Sequence, residues 1–432
     1  MKFSRYNIEI DIDGNRMLMN TVSLDLLPID SDFPLCQNGI DSAKLSSEQI
    51  SMLQEGGFIV DDALDELQVI EDKFDAEKTE SLMSVKLLLS TECNSNCQYC
   101  YQHFANYENS TISDAQIRTF VLWVNNYVVE NNIQKFSLEL FGGEPLLASK
   151  HLPLLFDLLN ELKSNRRFSE FSVSIITNTS LFTDQILSLL VKNDVEFKFS
   201  IDGPKIVHDS RRPLKNGTSS YDKTIEAIKK IKEMGRIDLV TARFNLDKRN
   251  IEYLENVAQT LHELGVERLY CGRVFFRGKK TPYSANIINE KSYYQNGTCL
   301  KLFHVLSKYG YSDTPCVIEP SRVCQFYRLH SYVVSPKLEV AKCDELLDIK
   351  ELQVGYIDSS GFLKKVGKNY QLQTGRTPSK DIECKNCAYL PICGMGCPIE
   401  AMNLTGNPLN HVCMNKELLQ EKIKVLLMAN NE

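Results

Sequence analysis

Three cysteines fall within eight residues in Cys93-Asn94-Ser95-Asn96-Cys97-Gln98-Tyr99-Cys100, and a second group follows the spacing Cys384-x2-Cys387-x5-Cys393-x3-Cys397. Thiolates grouped in this way bind metal. Three is the informative number in the first group. A structural zinc site takes four protein ligands, whereas a four-iron cluster held by three cysteines keeps one iron open for a small molecule. Zinc completed by a distant Cys or His is the other reading of that string. Cys316, Cys324, Cys343 and Cys413 stand around the second group, making eight thiols there, enough for two four-iron sites or for two zinc ribbons. Cys36, Cys271 and Cys299 are left without a metal role; Cys271 is expected to pack as a small buried hydrophobe.

The second motif is Phe141-Gly142-Gly143-Glu144-Pro145. Two glycines allow a close approach of the backbone to a ligand, and Glu144 places a carboxylate beside them. Alone, the string also reads as a turn. Polar residues recur at further points: Thr177-Asn178, Ser200-Ile201-Asp202-Gly203-Pro204 and Arg243. A hydroxyl and a guanidinium both donate to carboxylates, which makes Ser200 and Arg243 candidates for binding one; a structural salt bridge is the other reading of Arg243. His208-Asp209 is read as surface structure, because adjacent side chains do not normally face one another.

Elements that position these residues follow from the hydrophobic pattern. Strand-like segments at 85–89, 136–141, 171–176, 197–201, 239–244 and 268–275 alternate with amphipathic stretches at 113–129, 152–162, 183–191, 222–234 and 251–264. Ser113 and Gln116 are spaced as a capping box. Six such units predict an α/β fold, a partial (β/α)6 TIM-like barrel over residues 81–290, with chemistry at the C-terminal strand ends. The CxxxCxxC string follows the first strand and the glycine motif the second. Residues 1–80 read as a small α+β module, with strands at 6–12 and 17–24 and a short helix from Ser46. Residues 291–432 read as a metal-organised domain in which the helical rhythm fades.

Composition narrows the function further. A net charge of −7 argues against a nucleic-acid partner, since phosphate contacts need clustered Lys and Arg, and Arg277-Gly278-Lys279-Lys280 reads as solvated surface. With 43% hydrophobic and 24% charged residues, and no apolar run long enough for a bilayer, no membrane partner is expected. The opening Met1-Lys2-Phe3-Ser4-Arg5-Tyr6 lacks the apolar core of a secretion signal, so a cytoplasmic location is expected, where fourteen cysteines serve metal better than disulfides.

In combination, the CxxxCxxC string after strand one and the GGEP string after strand two resemble the radical S-adenosylmethionine superfamily over residues 84–285. The resemblance implies that Cys93, Cys97 and Cys100 hold a [4Fe–4S] cluster whose open iron chelates S-adenosylmethionine. It also implies that Gly142, Gly143 and Glu144 contact the methionine amino group, that Tyr99 packs near the adenine, and that Asn178, Ser200 and Arg243 serve ribose and carboxylate recognition. The C-terminal cysteines resemble the SPASM domain of peptide maturases and anaerobic sulfatase maturases. By that likeness a first auxiliary [4Fe–4S] cluster takes Cys316, Cys324, Cys343 and Cys397, and a second takes Cys384, Cys387, Cys393 and Cys413, making three clusters in all. The sequence departs from the family at Leu338, where a glycine usually stands five residues before Cys343. Asp344 matches the position of the proton acceptor proposed for sulfatase maturases; capping of backbone amides is its other reading. The N-terminal module, with Gly56-Gly57-Phe58-Ile59-Val60-Asp61-Asp62, resembles the winged-helix modules that bind leader peptides by strand addition.

The implied activity is reductive cleavage of S-adenosylmethionine to a 5′-deoxyadenosyl radical, hydrogen abstraction from a precursor peptide carrying a leader sequence, and an oxidised crosslink, either thioether or carbon–carbon. The implied electron donor is a protein such as flavodoxin or ferredoxin. Two alternatives stand beside it: a sulfatase maturase forming formylglycine, and a zinc-stabilised binding protein without catalysis.

Overall fold

The computed structural model describes all residues except 13, 30–34, 37–38, 41–44, 106–107, 275–281, 296, 312–321, 411, 414–419, 426 and 428–432. Cys316 therefore lies outside the described residues. The chain forms two compact units, one of Ser81–Pro315 with His330–Leu372, the other of Met1–Glu80 with Cys316–Leu329 and Gln373–Glu432. The sequence boundary at 290 thus falls inside the first unit.

That unit is built on a ten-stranded sheet. Its strands are β1 (Leu82–Ser90), β2 (Lys135–Gly142), β3 (Glu170–Thr177), β4 (Glu196–Ser200), β5 (Val240–Leu246), β6 (Arg268–Arg273), β7 (Ser331–Val334), β8 (Glu339–Ala341), β9 (Gly355–Ile357) and β10 (Leu363–Lys365). The order is β6-β5-β4-β3-β2-β1-β7-β8-β9-β10. All pairs from β6 to β7 are parallel and the rest antiparallel. The fold is α/β with a mainly parallel sheet, a partial barrel as expected, extended by a seventh parallel strand and a meander. Helices follow the parallel strands at Asp114–Glu130, Leu152–Asn165, Asp184–Lys192, Ser220–Glu233 and Leu254–Leu264, each near its expected place. Ser113 and Gln116 do form the capping box. The pattern missed further helices, among them Lys205–Arg211 and Thr298–Lys308. The first is too short for a periodic signal; the second lies where the rhythm was read as fading.

Side-chain alternation explains both faces of the sheet. On β1, Met83, Val85 and Leu87 are fully buried while Ser84 and Lys86 between them are not. On β2 the buried set is Phe136, Leu138 and Leu140, with Ser137 and Glu139 on the opposite face. On β4, Phe197 and Phe199 are buried and Lys198 is not. One face is thus a continuous apolar core and the other carries polar groups. Phe197 sits in that core with ring centroids 5.9 Å from Phe182 and 5.5 Å from Phe199.

In the other unit an antiparallel sheet of Asn7–Ile12, Asn15–Asn20 and Leu26–Pro28 stands with helices Ser47–Glu55 and Glu66–Thr79. Ile8, Ile10 and Met19 pack with Ile423, Ala388, Tyr389 and Ile392, so the N-terminal strands share a core with the C-terminal cysteine-bearing segment. Thr21 Oγ1 donates to the Ala388 carbonyl at 2.6 Å and Arg5 to that of Lys385 at 2.6 Å. Among the described residues, no helix is long and apolar enough to cross a membrane.

Phe197→Ala removes a fully buried ring from the barrel core and is expected to lower stability by about 3–5 kcal/mol, measured as a shift in the urea midpoint at unchanged slope.

Candidate active site

At the C-terminal ends of the parallel strands lies a cavity of about 270 Å³. Its lining includes Cys93, Cys97, Tyr99 and Cys100 from the loop after β1, Gly142 and Gly143 from the end of β2, Asn178 after β3, Ser200 on β4, Arg243 on β5 and Asp344. The residues singled out from sequence for the barrel thus gather in one place, with one exception, Glu144, which does not line the cavity.

The cysteine loop is held from two sides. On one, Gly143 N donates to the Ser90 carbonyl at 2.8 Å and Glu144 N to that of Glu92 at 2.8 Å. A Cβ on Gly142 would fall 2.2 Å from the Ser90 carbonyl oxygen, and one on Gly143 would fall 2.2 Å from that of Glu92. The two glycines are needed for the approach of chain to chain at the root of the loop, a requirement that precedes any ligand. On the other side, Asn96 N donates to Pro213 O at 2.8 Å, Gln98 N to Arg211 O at 3.1 Å and Lys215 N to Asn94 O at 2.9 Å. Ser95 and Leu214 form an antiparallel bridge.

Side chains complete the clamp. Asn178 Nδ2 donates to Asn94 Oδ1 at 2.8 Å and Ser95 Oγ at 2.9 Å, and lies 3.9 Å from Cys93 Sγ. Glu144, only 1% exposed, accepts from Leu146 N, Thr177 Oγ1 and Asn178 N at 3.0, 2.6 and 2.8 Å. It latches β2 to β3 behind the cavity. Burial pushes its pKa up, against the pull of those hydrogen bonds. Tyr99 directs its hydroxyl to Asp202 and receives hydrogen bonds from Arg212 at 2.5 Å and Asn245 at 3.1 Å. Arg211 completes this network, donating to Asp247 at 2.5 Å.

The three thiols fit a thiolate-ligated metal group. Burial pushes all three up, Cys100 to about 12. Such thiols lose their protons only against a compensating positive charge, and a metal centre supplies one. The cavity beside them is open to a small molecule. Among the described residues, no three His, Cys, Asp or Glu side chains are gathered closely enough for a single metal ion.

Asp344 pairs with Lys86 Nζ at 3.3 Å and accepts from the Tyr101 hydroxyl at 3.4 Å. Lys86 also faces Glu139 at 3.6 Å, and Lys198 faces Glu139 at 2.6 Å. Burial pulls the Lys86 pKa down, but the two carboxylates outweigh it and the net shift is upward. Arg243 donates to Asn245 Oδ1 at 2.9 Å and lies over the Tyr270 ring at 5.4 Å. Lys86, Arg212, Asn245 and Arg273 also line the cavity and were missed in the sequence. Lys86 had a signal, a charge inside an otherwise apolar strand; Arg212 had none before the loop pairing was known.

His208 corrects the surface reading: it is 1% exposed, and its Nδ1 accepts from Asp202 N at 3.2 Å. Asp209 does turn away from it, accepting from Tyr221 N at 2.9 Å.

Of the cysteines expected to hold auxiliary clusters, Cys343 lies in the barrel unit, and Cys324, Cys384, Cys387, Cys393, Cys397 and Cys413 lie in the other. Gly394, Met395 and Gly396, between Cys393 and Cys397, all have positive φ, +62°, +67° and +79°. A Cβ on Gly394 would meet Arg322 O at 2.7 Å, and one on Gly396 would meet Val412 O at 2.8 Å. This turn therefore packs against the chain just before Cys324 and just before Cys413. Tyr327 lies within electrostatic reach of Cys324 and Cys397, and Cys384 within reach of Cys393 and Cys413. Cys271 is buried in β6 as expected, Cys36 ends the short strand Leu35–Cys36, and Cys299 is fully buried and disulfide-bonded.

The Radical SAM superfamily model matches residues 87–261, and the chain carries a radical SAM domain there. Over 210 residues it is 25% identical to the "Radical SAM cyclopropyl synthase TigE" of Paramaledivibacter caminithermalis, covering 45% of this chain and 43% of that protein. The chain thus spans less than half the length of that relative, and 59% and 62% of two uncharacterized archaeal ones. It is 25% identical to a "Cysteine-type anaerobic sulfatase-maturating enzyme" of Clostridium perfringens, over 79% of this chain and 96% of that one. Among solved structures, "anSMEcpe with bound AdoMet" aligns with TM-score 0.63 at 18% identity, over 81% of this chain and 96% of that one. Streptococcus suis SuiB bound to precursor peptide SuiA aligns with TM-score 0.55 at 14%, over 95% and 98%. These structures share the fold.

Two outcomes are expected from the geometry. Gly143→Ala is expected to lose more than about 1 kcal/mol of stability, with a lower thermal midpoint and less bound iron, because its Cβ collides with a backbone carbonyl. His208, whose pKa burial lowers to about 4, binds fewer protons folded than unfolded between pH 4 and the ordinary value of about 6.5. Its contribution is present above pH 6.5 and is lost on acidification at up to about 1.4 kcal/mol per pH unit in that window. Urea titrations of His208→Gln, which can accept the same N–H without titrating, should show a flatter loss between pH 6.5 and 4.

Proposed function

We propose that the chain is a radical S-adenosylmethionine enzyme that oxidatively crosslinks a ribosomally made precursor peptide. The observation that carries this is the convergence of Cys93, Cys97, Cys100, Ser200, Arg243 and Asp344 on one cavity at the strand ends. When bound at the three thiolates, a [4Fe–4S] cluster supplies the electron that cleaves S-adenosylmethionine to methionine and a 5′-deoxyadenosyl radical. Ser200 and Arg243 hold the cosubstrate carboxylate, with Asn245 bridging them at 3.2 and 2.9 Å. Asp344, paired with Lys86, takes the proton that the substrate radical releases as it is oxidised. Tyr101 orients that carboxylate.

Cys384, Cys387, Cys393 and Cys413 hold one auxiliary cluster, and Cys324 and Cys397 contribute to another. The tight turn between Cys393 and Cys397, with its carbonyl contacts before Cys324 and Cys413, supports this division. The edge of the N-terminal sheet receives the leader of the peptide as an added strand, and a flavodoxin or ferredoxin supplies electrons. The peptide named with SuiB supports a peptide partner. A second reading, a sulfatase maturase making formylglycine, is favoured by the share of chain matched by the Clostridium perfringens enzyme, 79% against 45% for TigE.

The test is anaerobic reconstitution followed by metal analysis and product assay. About twelve irons per chain and 5′-deoxyadenosine formation on adding reductant and S-adenosylmethionine are expected; zinc alone without cleavage overturns the reading. Loss of two hydrogens from a peptide encoded beside the gene, and no change in a sulfatase-derived Cys or Ser peptide, separates the two substrates. Asp344→Asn is expected to keep 5′-deoxyadenosine formation and lower modified peptide by about 10²–10⁴-fold, read by mass spectrometry.

A further inference from the structure

We propose that Arg212 is a positioning residue that sets the reduction potential of the group held by Cys93, Cys97 and Cys100, and this rests on the radical-enzyme reading above. Arg212 lines the same cavity as the three cysteines. Its Nη1 donates to the Tyr99 hydroxyl at 2.5 Å, and its guanidinium lies 5.9 Å from the centre of the Tyr99 ring. Tyr99 stands between Cys97 and Cys100, so the arginine is fastened to the loop that carries the ligands. The backbone on either side of it pairs with that loop, through Arg211 O and Pro213 O.

Arg212 faces both Asp202 and the thiol-bearing loop, so it is a fixed cation in the wall of the cavity that the three cysteines line. Arg211, the other guanidinium here, is committed to Asp247 at 2.5 Å and to the Asn245 carbonyl at 2.8 Å, and stands 3.8 Å from Asp202. Asp202 is itself held by Asn245 N at 3.0 Å and by the Tyr99 hydroxyl. A fixed positive charge beside a thiolate-ligated cluster stabilises the reduced, more negative state over the oxidised one, and does so strongly where water is excluded. The electron that such a cluster accepts comes from the external donor; Arg212 exchanges neither electron nor proton.

The experiment is a potentiometric titration of the full reconstituted chain, followed by electron paramagnetic resonance of the reduced-cluster signal that changes when S-adenosylmethionine is added. Arg212→Gln is expected to shift the midpoint of that signal to more negative potential, and Arg212→Lys to leave it near the wild-type value. An unchanged midpoint in Arg212→Gln overturns the proposal. Should Arg212→Gln hold no cluster, Arg212→Lys decides: a retained signal at the wild-type potential supports a role for the charge, and a lost or strongly shifted one overturns it. A wild-type protein with no S-adenosylmethionine-responsive signal overturns the radical-enzyme reading, and this proposal with it.

Discussion

The contact on which the site depends is between backbones. The Ser90 and Glu92 carbonyls, at the root of the cysteine loop, lie where the Cβ atoms of Gly142 and Gly143 would be. β1 and β2 run in register up to Leu88–Phe141 and then slip, so that Ser90 faces Gly142. Such an irregularity bends a strand and re-aims the residues beyond it. Here the chain that leaves the sheet is the chain that carries Cys93. Both carbonyls are satisfied by the amides of Gly143 and Glu144, so the bend needs no water to complete it. A side chain at either glycine would separate the strands at the point where the loop begins, and Asn178, Glu144 and the Arg211–Lys215 segment would lose the geometry on which their own contacts rest.

Parallel strands add a second constraint. Because alternate residues face opposite ways, covering one face with helices leaves the other free to carry charge. Lys86, Glu139 and Lys198 use that freedom, and Asp344, entering after β8, joins them. The set contains two cations and two anions, which lowers the cost of holding charge away from bulk water. The arrangement therefore sets a cation against Asp344 through contacts already present in the fold.

The central strands and the cysteine spacing were legible because both are local: period-two patterning marks β1 to β6, and ligand spacing needs no tertiary information. What escaped depended on long-range contacts. Gly142 and Gly143 were read as room for a ligand; they line the cavity, and they also make room for the chain at Ser90 and Glu92, a need that no local pattern distinguishes. Asn178 was read as a recognition residue; its amide is engaged by Asn94 and Ser95, residues more than eighty positions away. His208 was read as surface because adjacent side chains do not normally face one another, yet it is enclosed against Asp202 and Tyr221. The strand β7 was hidden because its parallel partner, β1, lies far earlier in the chain.

Leu338 shows how a departure from a sequence pattern can leave the backbone unchanged. Its φ is +66°, the left-handed region that glycine enters freely and other residues at a cost of about 1–2 kcal/mol. The turn that glycine would make is therefore still made. Leu338 N donates to the Ser335 carbonyl at 2.9 Å, and its own carbonyl accepts from Ile357 N at 2.9 Å, tying the turn to β9. The side chain is 6% exposed, and burying a leucine contributes about 1.5–3 kcal/mol, enough to offset the strain. The sequence identity changed while the constraint on the chain leading to Cys343 and Asp344 did not, because that constraint acts on the backbone and the compensation comes from packing.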